Sequence, residues 1–137
     1  MYILLIEDSD TLATLFRVQL RQLGAHTLAA AATKSQALTF FQEQNFDLIL
    51  VDMGLDGQQD RGLEILNEIK AVKPSQRMGV LSSNDLRDMV RSSQQAGAEF
   101  YIVKPFTLEG LSLILKGDKE AIQNHIPEVG EGRIIVF

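Results

Sequence analysis

Leu48-Ile49-Leu50-Val51-Asp52 sets four apolar residues in a row and closes them with an acid. The run does not alternate with polar residues. A half-buried strand would alternate, so this one is covered on both faces, as in a parallel sheet flanked by helices. Tyr2 to Ile6 repeats the pattern and is closed by Glu7 and Asp8. Met78 to Leu81 repeats it ahead of Ser82 and Ser83, and Phe100 to Val103 repeats it ahead of Lys104. His26 to Ala31 is a weaker strand, because alanine is a poor strand former.

Helix-period segments fall between these runs. From Asp10 to Leu23, the residues Leu12, Leu15, Phe16, Leu20 and Leu23 form one face, and Gly24 stops it. Thr33 and Gln36 have capping-box spacing ahead of Ala37, Leu38 and Phe41. Gly62 to Val72 turns Leu63, Leu66 and Ile69 inward before Pro74. Asp85 to Ala96 turns Leu86, Met89 and Val90 inward before Gly97. A last helix begins near Thr107, where Gly117 either ends it or weakens it. The order is strand then helix five times, which predicts a doubly wound α/β domain with helices on both faces of a parallel sheet. The longest loop expected is Asp52 to Arg61.

The chain has 137 residues, enough for one domain with a real core. Hydrophobic residues are 45% and charged residues 23%, which excludes global disorder. With 13 basic and 18 acidic residues the charge is −5, the wrong sign for direct nucleic-acid binding. Cysteine is absent, so there is neither a disulfide framework nor a thiolate metal site. The apolar start lacks a basic flank and meets acids at once. No run approaches the ~20 residues that span a bilayer. The expectation is a cytoplasmic protein with no membrane contact.

Strand ends in an open parallel sheet share one edge, where such folds place their sites. Glu7, Asp8 and Asp52 would meet there with Ser82 and Lys104. Two carboxylates ~5 Å apart repel by about 3 kcal/mol at an effective dielectric of ~20. Lys104 offsets one charge only. The remainder makes a hard-oxygen site suited to Mg²⁺ and a phosphate oxygen. A carboxylate in that setting can attack phosphorus and form an acyl phosphate.

These motifs, in this order and spacing, resemble the response-regulator receiver domains of two-component signalling. The matching residues are Ile6-Glu7-Asp8, Val51-Asp52, Ser82-Ser83, Gln95-Ala96-Gly97-Ala98 and Tyr101-Ile102-Val103-Lys104-Pro105-Phe106. The resemblance spans roughly residues 1–117 and implies a flavodoxin-like strand order of 2-1-3-4-5. It implies that Asp52 accepts a phosphoryl group from a histidine kinase or histidine phosphotransfer protein. Asp8 would bind Mg²⁺ directly, Glu7 directly or through water, and the Gly54 carbonyl would be a further ligand. Lys104 would pair with phosphoryl oxygens, and Ser82 would hydrogen-bond the phosphate. Tyr101 would be a switch aromatic that moves inward, and Lys104-Pro105 would be cis. Output would pass to a downstream protein through the surface around the fourth helix, fifth strand and fifth helix, with homodimerisation there left open. The chain departs from the family at Asp56, where proline is common, and its loop to Gly62 is two residues longer than usual. Asp56 and Asp60 add negative charge there.

Plainer readings stand beside these. Alone, Asp52 reads as a helix cap, Glu7 and Asp8 as acids at a helix start, Ser82 as a cap, Lys104 as a surface lysine and Tyr101 as a core aromatic. His26 and His125 lack ligand partners at useful spacing and read as structural. Two other functions compete. One is a receiver-like interaction module that works without phosphate. The other is a haloacid-dehalogenase-like phosphatase, from Asp8-Ser9-Asp10-Thr11, although its fourth strand would end in acids rather than Ser82-Ser83. Residues 118–137 form a tail that carries Asp118, Lys119, Glu120, Glu128 and Glu131. It ends in Arg133-Ile134-Ile135-Val136-Phe137, an edge strand or a docking peptide that should pack against the domain or a neighbour.

Overall fold

The computed structural model describes residues 1–24, 26–83, 86–124 and 132–137, without the side chains of Asp56 and Gln59. Asp85, His125, Glu128, Glu131 and the Asp56 carboxylate therefore lie outside the described residues. The apolar runs form strands β1 (Tyr2–Ile6), β2 (Thr27–Ala31), β3 (Leu48–Asp52), β4 (Met78–Ser82) and β5 (Phe100–Val103). All are paired in parallel, in the order 2-1-3-4-5. A sixth strand, β6 (Ile134–Val136), joins the outer edge of β5 antiparallel.

The helices are α1 (Asp10–Leu23), α2 (Lys34–Glu43), α3 (Gln59–Val72), α4 (Arg87–Gln95), α5 (Leu108–Lys116) and α6 (Lys119–Gln123). Side-chain caps set several of their starts. Ser9 Oγ accepts from Leu12 N, and Thr33 Oγ1 accepts from Gln36 N at 3.1 Å. Gln36 returns the contact by accepting from Ala32 N, one residue before the cap. Gly117 ends α5 with φ of 71°, and Asp118 caps a new helix instead of an extension of the old one.

Two cores lie against the two faces of the sheet. Leu4, Ile6, Ile49, Val51, Val80 and Tyr101 face Ala37, Ile65, Leu66 and Ile69. Ile3, Leu5, Leu48, Leu50, Phe100 and Ile102 face Phe16, Leu20, Leu111 and Ile114. Two leucines expected inward are not. Leu86 is 58% exposed because it is the N-cap of α4, ahead of its regular turns. Leu15 is 41% exposed. It sits about 100° round the helix from Phe16, at the edge of the apolar stripe.

Gly62 fixes how α3 meets the end of β3. A Cβ there would lie 2.5 Å from the Asp52 carbonyl oxygen and 2.7 Å from Met53 Cα. Only glycine lets the helix approach this backbone. Gly62→Ala should lower unfolding stability by about 1–3 kcal/mol, the range for overpacking a rigid contact, as read by urea denaturation. An unchanged midpoint would show that α3 can withdraw without cost.

Candidate functional site

Parallel register puts the acids together. Ile6 pairs with Val51, so the residues that follow, Glu7 and Asp52, leave the sheet side by side. Glu7, Asp8 and Asp52 each offer a carboxylate oxygen, all within 4.8 Å of one another. Glu7 is 4% and Asp52 5% exposed, whereas Asp8 is exposed. Asp10 opens α1 and is not in this group.

Lys104 closes the cluster. Its Nζ lies 2.7 Å from Glu7 Oε2 and 3.1 Å from Asp52 Oδ1. Its backbone N–H donates to the Ser82 carbonyl at 2.7 Å, which pins the end of β5 to the end of β4. The Lys104-Pro105 peptide is cis, as the resemblance implied. Gly54 N donates to Asp52 Oδ1 at 3.1 Å, and Ser9 N donates to Glu7 Oε1 at 3.1 Å. The Gly54 carbonyl accepts from Gly57 N at 3.0 Å, leaving its second lone pair for any metal. Ser82 is buried at the end of β4, whose residue Leu81 pairs with Asp52. Tyr101 is wholly buried.

The charges reinforce this arrangement. Burial pushes the Glu7 pKa above the ordinary carboxylate value, and the Asp52 charge adds to the rise. The Lys104 hydrogen bond and charge and the Ser9 amide pull it down without cancelling it. Burial alone would lower the Lys104 pKa. Its hydrogen bond to Glu7 and the charges of Asp52 and Glu7 outweigh that and hold the ammonium above its usual value. Three carboxylates against one ammonium leave a deficit of two positive charges. Apart from that ammonium, no donor among the described residues reaches Glu7 Oε2. All the donor atoms are hard oxygens. The group therefore fits a small divalent cation such as Mg²⁺.

Sequence reading missed Ser9, which both caps α1 and donates to Glu7. Its signal was available in the three-residue spacing to Leu12. It also missed the packing of Gly62 under Asp52, for which only the glycine itself was a sign.

A chain with this fold and this acidic edge belongs to a class defined by comparison. The family model for the response regulator receiver domain matches residues 3–116, and the chain belongs to that family. The chain is 31% identical to the chemotaxis protein CheY of Pseudomonas aeruginosa over 113 residues, which is 81% of this chain and 90% of that protein. It is 30% identical to the alginate biosynthesis transcriptional regulatory protein AlgB of the same species over 139 residues. That match takes in 95% of this chain but spans only 30% of AlgB. A solved response regulator from Thermotoga maritima superposes with a TM-score of 0.75 at 27% identity, covering 85% of this chain and 94% of that one. Receiver domains are phosphoacceptors of two-component systems that bind Mg²⁺ at an acidic pocket. No helix among the described residues is long and apolar enough to cross a membrane.

Glu7 binds its proton more tightly folded than unfolded. This group therefore adds stability as the pH falls from its folded value to the ordinary carboxylate range, and the gain is gone above the folded value. In metal-free buffer, the stability of Glu7→Gln relative to the parent should be most favourable near pH 7 and should decline as the pH falls towards 4. Urea midpoints across that range read the difference, and a difference independent of pH would contradict the raised value.

Proposed function

We propose that Asp52 accepts a phosphoryl group from a histidine kinase or a histidine phosphotransfer protein, and that this event alters a partner-binding surface. The observation that carries the reading is the Lys104 ammonium within 3.1 Å of Asp52 Oδ1, beside two further carboxylates and at the carboxyl edge of the sheet. Residues 1–117 form the receiver unit in this reading, with 118–137 as an appended segment.

An Asp52 oxygen attacks phosphorus. The P–N bond of the donor phosphoimidazole breaks, its electron pair stays on the ring nitrogen, and that nitrogen takes up a proton. The product is an acyl phosphate on Asp52. Asp8, Glu7, Asp52 and the Gly54 carbonyl would hold Mg²⁺, which when bound neutralises charge on the phosphoryl oxygens. Lys104 binds a phosphoryl oxygen and gives up part of its pairing with Asp52 to do so. The Ser82 hydroxyl donates to another phosphoryl oxygen, which draws the β4 end toward the site. This chain supplies the acceptor and the positioning groups, and the donor protein supplies the transfer. Its net charge of −5 favours a protein rather than nucleic acid as the target of the output.

Incubation with Mg²⁺ and acetyl phosphate should add one phosphoryl group by intact mass. Asp52→Asn should abolish the gain, chelation of Mg²⁺ should do the same, and Lys104→Ala should slow it by roughly 10²-fold. An unmodified parent protein would sink the reading and leave the phosphate-independent module. Undiminished modification of Asp52→Asn would move the acceptor elsewhere.

A further inference from the structure

β6 lies beyond residues 3–116, the span that the family model matches. It takes the free edge of β5, with Ile134 opposite Ile102, Ile135 opposite Tyr101 and Val136 opposite Phe100. Hydrogen bonds extend the pairing at both ends. Phe137 N donates to the Glu99 carbonyl at 3.0 Å. Val103 N donates to the Arg133 carbonyl at 2.8 Å, and Gly132 N donates to the Val103 carbonyl at 3.1 Å. Val103 is thus held through both of its backbone groups, and the next residue is Lys104. Gly132 has φ of 74°, and a Cβ there would lie 2.8 Å from Thr107 Cγ2 and 3.2 Å from the Pro105 carbonyl. Ile135 and Phe137 pack on the same core as Tyr101, Met89 and Val90, while Ile134 and Val136 pack on the opposite core with Ile102 and Phe106. The strand is therefore seated on both faces of the sheet.

We propose that β6 is an intramolecular strap which occupies the outer edge of β5 and holds Tyr101 buried whatever the state of Asp52. Ile135 is the cross-strand partner of Tyr101 and packs on the same core, so outward movement of the ring must disturb the strap. While β6 is in place, no partner strand and no second copy of the chain can add to β5, because the main-chain groups on that edge are already paired. Loosening β6 would free both the edge and the tyrosine.

The chain has two tyrosines and no tryptophan, so Tyr2→Phe leaves Tyr101 as the only strong intrinsic fluorophore. In that background Ile135→Pro removes a ladder donor opposite Tyr101 and keeps an apolar side chain. Acrylamide quenching of Tyr101 should rise roughly threefold or more, the mark of a locally opened edge, together with loss of amide-exchange protection in residues 132–137. Ile135→Val should match the parent. Gly132→Ala strains the anchor against Thr107 and the Pro105 carbonyl, should give a smaller rise, and serves as the test where the proline variant fails to fold. Adding Mg²⁺ and beryllofluoride should leave quenching unchanged while β6 is intact and should reduce it in Ile135→Pro. Unchanged quenching after β6 has lost protection would overturn the proposal. So would protection of β6 that survives both variants, or a change on loading with β6 intact. Fluorine NMR reports loading independently, so a site that never loads counts against Asp52 as acceptor while the quenching of the variants still judges the strap.

Discussion

One ammonium shared by two buried carboxylates is the contact on which the site depends. Lys104 reaches Glu7 and Asp52 at once, and neither acid is open to water on its own account. Removing one partner of such a group leaves a buried charge uncompensated, which costs far more than the pair contributes. The ammonium also falls short of the charge it faces. With Asp8 the edge keeps two negative charges in excess, and a receiver's divalent cation and phosphoryl chemistry follow from that excess.

The position of Lys104 rests in turn on strand register. β3 is buried on both faces, so its apolar run does not penalise a slip as an alternating strand would. Shape does so instead. Gly79 pairs with Phe100, and a Cβ on Gly79 would lie 2.1 Å from that ring, so the ring fits over this position and over no neighbour that carries a side chain. This contact sets Ser82 opposite Val103, which allows Lys104 N–H to reach the Ser82 carbonyl. Gly62 acts likewise for β3 by letting α3 lie on the Asp52 backbone. Two glycines thus align the strands that carry Asp52 and lead to Lys104.

The parts of this arrangement that sequence discloses are those with strong local causes. Unbroken apolar runs ending in Asp52, Asp8 or Lys104 mark strands and their functional ends together, because parallel strands must all finish at one edge. Strand order came from family resemblance, since periodicity carries no information on which strands are neighbours. Leu86 and Leu15 read as core because they are leucines near an apolar stripe, yet a capping position and a stripe edge both face water. The direction of β6 was illegible as well. Its pattern shows that Ile134 to Val136 need cover, but an antiparallel partner depends on how the chain returns to the sheet. Tyr101, the partner of Ile135, is fully buried there.

The connection after Asp52 is shorter than the expected loop from Asp52 to Arg61, because α3 begins at Gln59 rather than at Gly62. It makes a 3-10 turn, Leu55–Gly57, closed by Gly57 N donating to the Gly54 carbonyl. Leu55 is fully buried there, which ties the turn to the core beside Ile65 and Met53. Gly54 is thereby kept close enough for its N–H to reach Asp52 Oδ1. Asp60 sits exposed in the first turn of α3, where a negative charge favours the helix dipole and water screens it from Asp52. Gly54 and Gly62 thus hold Asp52 from both sides of the connection, the first through its N–H to the carboxylate and the second by the close approach of α3 to the backbone.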